Sequence, residues 1–136
     1  MTQTELQSKI LVVDDEKKTQ SILKRFLENK NFQVIVAGDG KEALVKLDAF
    51  NPQCVLLDIQ MPFLNGADTL KMIKDRKEEV EVIMVTAVTS LKIAEGCLND
   101  GAFSVIEKPV NLEYLHGKIV EALEKREEKI RKRTRR

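Results

Sequence analysis

The sequence is poor in the residues on which several common kinds of protein site depend. It contains one His, two Cys and no Trp in 136 residues, and Cys54 and Cys97 lie far apart. A zinc site is therefore not supported, and because both Cys stand among apolar residues we expect reduced, packed thiols. The chain also lacks an apolar run of about 18 residues and the basic-then-apolar layout of a signal peptide, so we expect a cytoplasmic protein without a membrane partner.

What is present fits one folded domain of ordinary size. The chain is 43% hydrophobic and 33% charged, which at this length allows a single buried core. Residues 124–136 carry eight Lys or Arg and three Glu, a net charge of +5, whereas residues 1–123 have a net charge of −4. We predict an N-terminal extension over 1–8, a domain over 9–123, and a basic helical extension or linker over 124–136.

Three interpretations of the basic tail remain open: a linker to an output domain, a contact with nucleic acid or an acidic partner, or a solvated end. Nucleic acid is the least favoured, because the tail has no interleaved aromatic residues and no recognition motif. The available i,i+4 ion pairs include Glu121 with Lys125 and Glu127 with Arg131. Each is worth only ~0.2–0.5 kcal/mol, so a helix that continues past Leu123 is expected to fray near its end.

Short apolar runs alternate with amphipathic segments along the chain. The predicted strands are 10–13, 33–37, 54–58, 81–86 and 103–107, and the predicted helices cover about 16–29, 40–49, from 65, 90–100, and from 111. An Asp39-x-x-Glu42 capping box and Gly101 mark two helix boundaries. Apolar strands separated by helices need cover on both faces, which predicts an α/β fold with a doubly wound parallel sheet.

Polar residues follow the predicted strands, at the edge where such sheets form their functional crevice. Asp14 and Asp15 follow the first strand, Asp58 ends the third, Thr86 ends the fourth, and Lys108 follows the fifth. Carboxylates crowded at one edge repel each other, and a bound cation relieves that repulsion. Because the ligands are oxygens without His or Cys, they favour a hard ion, and Mg²⁺ suits a few carboxylates with water and phosphate.

This set of residues fits phosphoryl chemistry. With a cation balancing its charge, Asp58 can attack a phosphoryl group and form an acyl phosphate, while Lys108 and Thr86 contact the transferring oxygens. Each residue alone has a plainer interpretation. Asp14 and Asp15 could simply cap the first helix, and Thr86 and Lys108 could be an ordinary strand end and a solvated turn. Their occurrence together at four strand ends favours a phosphorylation site.

Four segments also give the chain a family resemblance. They are VVDDE (12–16), VLLDIQMPFLNG (55–66), VTA (85–87) and GAFSVIEKP (101–109). In this order and with these gaps, the chain resembles the receiver domains of bacterial two-component response regulators over about 10–123. The resemblance implies a single domain with a five-stranded sheet in the flavodoxin-like order 2-1-3-4-5.

The resemblance implies a role for each matching acidic residue. Asp58 corresponds to the phosphoacceptor, which also contacts the metal. Asp15 corresponds to the direct Mg²⁺ ligand, and Asp14 to an acidic neighbour that acts partly through water. The backbone carbonyl of Gln60 corresponds to a further ligand. The family's cofactor, Mg²⁺, therefore agrees with the ion that the oxygen ligands favour.

The resemblance also covers the response to phosphorylation. Thr86 and Lys108 correspond to the residues that contact the phosphoryl group, and the Lys108–Pro109 bond is commonly cis in the family. The family's switch couples the threonine to an aromatic residue on the last strand, but here Val105 occupies that position. Phe103 lies two residues earlier and is expected to share the face of Val105. The usual aromatic switch is therefore in doubt, while the phosphorylation chemistry is retained.

The residues two beyond the acceptor and two beyond the threonine influence hydrolysis of the acyl phosphate in this family. They are Gln60 and Val88 here. Because Val88 cannot orient a water molecule, we predict a longer phosphoryl lifetime than in relatives with a polar residue there. A half-life no longer in the wild type than in Val88→Glu would contradict this prediction.

The resemblance implies a signalling domain and not an enzyme. Its phosphoryl donor would be a sensor histidine kinase or a phosphotransfer protein, its readout surface would lie near strands four and five, and an output domain, an effector or a phosphorylation-dependent dimer stays open. A metal-dependent phosphatase or phosphotransferase is the competing class, but such enzymes resemble a DxD pattern, and Gln60 stands where the second Asp would be. A receiver-like module that is never phosphorylated is the third alternative.

Overall fold

The computed structural model describes residues 8–87 and 90–134, in which strands and helices alternate. The strands are β1 (Lys9–Val13), β2 (Gln33–Ala37), β3 (Cys54–Leu57), β4 (Glu81–Thr86) and β5 (Ser104–Glu107). The helices are α1 (Lys17–Asn29), α2 (Gly40–Phe50), α3 (Gly66–Arg76), α4 (Leu91–Asn99) and α5 (Leu112–Thr134). Every predicted strand and helix is present, and each predicted boundary lies within one residue of the observed one.

The five strands form one parallel sheet in the order β2-β1-β3-β4-β5. The predicted fold class and strand order are therefore confirmed. β3 is the central strand, and all four of its residues are buried. Its last residue, Leu57, is in register with Val13 of β1 and Met84 of β4. Since parallel strands end at the same edge, the residues that follow Val13 and Leu57 start side by side.

Helices cover both faces of this sheet because alternate strand residues point to opposite sides. On one face, strand residues pack against α2, α3 and α4, through Leu11, Val13, Val55, Leu57, Val82, Met84, Ala43, Leu47, Leu70, Ile73 and Cys97. On the other face they pack against α1 and α5, through Ile10, Val12, Leu56, Ile83, Val85, Leu23, Leu27, Leu115, Ile119 and Leu123. The doubly wound arrangement thus follows from strands that are apolar on both sides.

Two predicted helix boundaries have the expected local geometry. The Asp39 side chain accepts a hydrogen bond from the Glu42 N–H at 2.8 Å and caps α2. Gly101 follows α4 with a φ of 107°, in the left-handed region that favours glycine. Both Cys are free and buried, as predicted, and burial raises the pKa of each thiol. Among the described residues, no helix has the length and apolar character needed to cross a membrane.

The last helix continues into the basic extension. α5 is one helix from Leu112 to Thr134. It shows no fraying as far as Thr134, and positions 135 and 136 of the predicted frayed end lie outside the described residues. Arg133, near its end, pairs with Glu79 in the segment between α3 and β4. This contact joins positions that are distant in the sequence, and as a largely exposed ion pair it adds no more than a modest stabilisation. The sequence alone could not reveal it.

A buried acidic residue contacts two lysines of this extension. Glu81, the first residue of β4, is only 1% exposed. Its carboxylate lies 3.6 Å from Lys74 Nζ of α3, and 4.0 Å and 3.2 Å from the ammonium groups of Lys125 and Lys129 of α5. These four residues form the basal cluster, at the sheet edge opposite Asp58. A carboxylate out of water needs partners, and the four-residue spacing of the two α5 lysines puts both on its side of the helix.

Candidate functional site

Backbone hydrogen bonds fix the residues that follow the strands. Asp14 N donates to the last carbonyl of β2 at 3.1 Å, and Asp58 N donates to the last carbonyl of β1 at 3.1 Å. Lys108 N donates to the carbonyl of Thr86 at 2.8 Å. Because these bonds extend the strand pairing by one residue, the first polar side chain after each strand has a defined direction.

Three carboxylates meet at this edge. Oxygen atoms of Asp14, Asp15 and Asp58 all lie within 4.8 Å of one another. Asp14 and Asp58 are only 3% and 6% exposed, whereas Asp15 is exposed. Burial raises the pKa of Asp14, even though hydrogen bonds and the nearby Lys108 act in the opposite direction. The charged form of Asp14 is therefore destabilised mainly because the carboxylate is removed from water.

Lys108 supplies the ammonium group at the centre of the cluster. Its Nζ donates to Asp14 Oδ2 at 2.7 Å and to Asp58 Oδ2 at 2.9 Å. Burial alone would lower the pKa of Lys108, but the hydrogen bonds and the negative charges of both carboxylates outweigh that effect and raise it. The lysine is therefore charged and bridges two of the three acids. The Lys108–Pro109 peptide bond is cis, as the resemblance implied.

Asp14 and Asp15, in the loop before α1, belong to the acidic cluster and are not the N-cap residue of that helix. The N-cap residue of α1 is Glu16, which makes no side-chain capping bond. Asp14 Oδ1 instead accepts a hydrogen bond from Glu16 N at 2.9 Å, and Gln20 Nε2 donates to the Asp14 carbonyl at 2.6 Å. Capping by Asp14 or Asp15 is therefore wrong as an account of these residues. Gln20 could not be predicted as a site residue, because a single glutamine on a helix gives no signal of its function.

The loop after β3 is held close to Asp58. Gln60 N donates to Asp58 Oδ1 at 3.1 Å, and Gly66 N donates to the Ile59 carbonyl at 2.9 Å. A Cβ on Gly66 would lie 2.0 Å from the Asp58 carbonyl oxygen, so only glycine fits. α3 can therefore begin directly against the site. The metal contact of the Gln60 carbonyl stays a prediction.

Thr86 lies at the same edge, at the end of β4 and opposite Glu107 of β5. It is fully buried. A contact between its hydroxyl and a phosphoryl group stays a prediction. Val88, to which we attribute a long phosphoryl lifetime, lies outside the described residues.

Two of the residues considered for the switch, Val105 and Phe103, do not lie on the same face of the sheet. Val105 is in register with Met84 and packs on the side of α2, α3 and α4. Phe103 packs on the opposite side, with α1 and α5, and its ring lies 5.4 Å from Lys125 Nζ. The expectation that they lie together is wrong because β5 begins at Ser104, so strand alternation does not extend to Phe103. Phe103 cannot replace an aromatic residue at position 105.

Comparison with known proteins agrees with this geometry. The family model described as "Response regulator receiver domain" matches residues 10–120. The transcriptional regulatory protein CpxR of Escherichia coli K12 is 43% identical over 104 residues, which cover 76% of this chain and 44% of that protein. A cyclic di-GMP phosphodiesterase of Thermotoga maritima is 35% identical over 117 residues, which cover 86% of this chain and 31% of that protein. The chain thus spans less than half the length of these curated relatives.

Solved structures give the same result. The crystal structure of a CheY-like response regulator receiver domain protein from Methanospirillum hungatei has a TM-score of 0.86 and 33% identity, covering 90% of this chain and 98% of that one. NtrX from Brucella abortus has a TM-score of 0.86 and 29% identity, covering 92% of this chain and 29% of that one. From its fold, its acidic cluster and these similarities, the chain belongs to the response regulator receiver domain family.

Proposed function

We propose that this receiver domain accepts a phosphoryl group on Asp58 and passes the change to a partner in two-component signalling. The observation that supports this proposal most directly is the double contact of Lys108, whose ammonium bonds both Asp58 and Asp14. One oxygen of Asp58 is thereby oriented by a cation, while its other oxygen accepts from Gln60 N. The carboxylate is positioned for attack on an electrophile that arrives from the strand ends.

The residues of the cluster fit a magnesium ion. The available ligand atoms are hard oxygens of the Asp14, Asp15 and Asp58 carboxylates. The backbone carbonyl of Gln60 is the proposed fourth ligand. Among the described residues, the three clustered carboxylates outnumber the ammonium group of Lys108 that contacts two of them, so negative charge is in excess there. When bound, the ion would neutralise that excess and polarise the phosphoryl oxygens.

The residues of this chain then have distinct tasks in the transfer. The Asp58 carboxylate oxygen forms a bond to phosphorus as the bond from phosphorus to the donor nitrogen breaks, and the electron pair of that bond returns to the donor imidazole. Lys108 keeps its proton and balances the negative charge on the oxygens of the transferring phosphoryl group. The Thr86 hydroxyl donates a hydrogen bond to one of these oxygens. The product is an acyl phosphate on Asp58.

The donor in this proposal is a sensor histidine kinase or a phosphotransfer protein, and the chain acts in the cytoplasm. The readout surface includes the part of the sheet near β4 and β5, and an output domain, an effector or a second copy reads it. Because Val105 replaces the aromatic residue, the switch must use other groups. We do not expect turnover of small molecules, since the chemistry ends on the chain's own Asp58.

The test uses acetyl phosphate with Mg²⁺ and intact-protein mass spectrometry. We expect one phosphoryl adduct that is stable in acid, labile in base and absent from Asp58→Ala. The exposed Asp75→Asn variant is the matched control and should be labelled like the wild type. Absence of an adduct with any donor would leave the unphosphorylated module as the better description, and turnover of free phosphate esters would favour the enzyme.

A further inference from the structure

The segment between β3 and α3 is a closed loop, tied at both ends. The hydrogen bond from Gly66 N to the Ile59 carbonyl joins its two ends at 2.9 Å. Between them, Met61 and Leu64 turn inward and pack against the core on the side of α2 and α3. The loop is therefore anchored by apolar contacts and is not simply a solvated connection.

The tip of this loop has a strained backbone. Leu64 N donates to the Pro62 carbonyl at 2.9 Å, which closes a three-residue γ-turn with Phe63 at its centre. Phe63 has a φ of 70°, a conformation that is rare for a bulky side chain. Glycine or asparagine would adopt this backbone more easily, so stability of the fold does not explain a phenylalanine here.

The side chain at that tip is also unusually exposed. Phe63 is 88% exposed, more than any other large apolar side chain among the described residues. Its ring therefore gains little from the core while the backbone around it is strained. Strained residues that persist in folded proteins cluster at functional sites, and an exposed aromatic ring on an anchored loop is suited to burial against another protein.

We propose that Phe63 is a docking residue for the protein that delivers the phosphoryl group, which rests on the proposed function of Asp58. Asp58 is 6% exposed and lies five residues before Phe63, directly after the end of β3. A protein-bound phosphohistidine must bring its phosphorus within bonding distance of that carboxylate, so the donor's surface has to cover the surrounding loops. The partner is therefore a phosphohistidine-bearing protein with an apolar contact for the ring.

Comparing phosphoryl transfer from a small donor and from a protein donor distinguishes a docking role of Phe63 from a role in the chemical step. The small donor is acetyl phosphate, and the protein donor is the phosphorylated catalytic core of whichever purified histidine kinase of the source organism labels the wild type fastest. In Phe63→Ala we expect kcat/KM for the kinase core to fall about tenfold or more, the size of a hot-spot loss. The rate with acetyl phosphate should stay within about twofold, because a small molecule needs no docking surface.

Two further variants distinguish docking from a structural role. Phe63→Gly should raise Tm by a few degrees, because glycine relieves the backbone strain, and should still lose transfer from the kinase core. Phe63→Tyr keeps the ring and should restore transfer. Val45→Ala, which truncates an exposed apolar side chain on α2, is the matched control and should transfer like the wild type.

Each other outcome overturns the proposal. Unchanged transfer from the kinase core in Phe63→Ala would remove the docking role, and an equal loss with both donors would mean that the loop acts on the chemistry. If acetyl phosphate labels Asp58 but neither a kinase core nor a phosphotransfer protein does, the docking proposal and the donor of the proposed function are wrong, although the phosphorylation of Asp58 stands. If neither acetyl phosphate nor a protein donor labels the wild type, the proposed function itself fails.

Discussion

The two edges of the sheet carry opposite charge balances. At the carboxyl edge, the carboxylates of Asp14, Asp15 and Asp58 lie together, and the ammonium of Lys108 contacts those of Asp14 and Asp58. At the amino edge, the basal cluster places one buried carboxylate, that of Glu81, beside three lysines. Both edges contain buried charge, which requires compensation in a medium of low dielectric constant.

The difference lies in where the compensation comes from. The basal cluster is completed by residues of α3 and α5, so its function is to hold the last helix against the sheet. The carboxyl edge has more anions than cations, and burial raises the pKa of Asp14 there. A ligand of opposite charge can relieve an excess of charge of one sign at a crevice. We therefore assign stability to the amino edge and chemistry to the carboxyl edge.

The largest effect should come from removing the cation at the carboxyl edge. In Lys108→Met, labelling by acetyl phosphate with Mg²⁺ should slow about 10²–10³-fold, as when an oriented charge-stabilising donor is lost from an active site. Initial rates from intact-protein mass spectrometry measure this change. Lys71→Met, which removes an exposed lysine 3.9 Å from Asp100, should label within about twofold of the wild type. Equal rates in both variants would show that Lys108 does not assist transfer.

The next effect concerns stability. Glu81→Gln removes the carboxylate of the basal cluster and leaves three ammonium groups facing each other. We expect a loss of about 3 kcal/mol in the free energy of unfolding, at the low end for a broken buried pair because the lysines keep some access to water. Urea denaturation measures it, with the exposed Glu28→Gln, which breaks an i,i+4 pair with Lys24, as control. A loss as small as that of the control variant would show that the basal cluster does not contribute to stability.

A smaller effect of opposite sign is expected at Asp14. Because burial raises its pKa above the unfolded value, its contribution to stability is full at pH below the unfolded pKa and is lost as pH rises through the folded pKa. At neutral pH without divalent cations, Asp14→Asn should therefore raise Tm by a few degrees at most. The gain should shrink in acid and when Mg²⁺ is added to both proteins. A lower Tm in Asp14→Asn would contradict the charge excess.

The smallest effect distinguishes two lysines of the same helical extension. Lys129 contacts Glu81 at 3.2 Å, whereas Lys132 pairs with the exposed Glu128 of its own helix at 3.2 Å. Lys129→Gln should cost about 1 kcal/mol or less, since its side chain is partly exposed, and Lys132→Gln no more than about 0.5 kcal/mol. Trypsin cleavage within 124–134 should accelerate more in the first variant. Identical cleavage rates would mean that the extension is not fastened through Lys129.

The fold could be predicted from the sequence because every strand is a short apolar run and every helix is amphipathic. The residues of the carboxyl edge could be predicted for a related reason: parallel strands end together, so Asp14, Asp58 and Lys108 had to meet there. The basal cluster could not, because Glu81 reads as an ordinary residue at a strand start. Its partners on α3 and α5 are brought to it only by helix packing.

Two local details also depended on the structure. Strand alternation predicted that Phe103 lies on the same face as Val105. The strand begins one residue after Phe103, however, and the two side chains pack on opposite faces of the sheet. The strained turn at Phe63 had no signal in the sequence, because phenylalanine is not a residue type that indicates a positive φ. Periodicity predicts faces within an element and loses its meaning at the element's ends.

The most direct test of the contrast between the edges is the Mg²⁺ dependence of Asp58 labelling by acetyl phosphate. Initial rates would be measured over a range of Mg²⁺ concentrations in the wild type, Asp15→Asn and Glu81→Gln. The account predicts that the wild type and Glu81→Gln reach half-maximal rate at the same concentration, and that Asp15→Asn requires about tenfold more. Labelling of Asp58 without a divalent cation, or the same Mg²⁺ dependence in all three proteins, would contradict it.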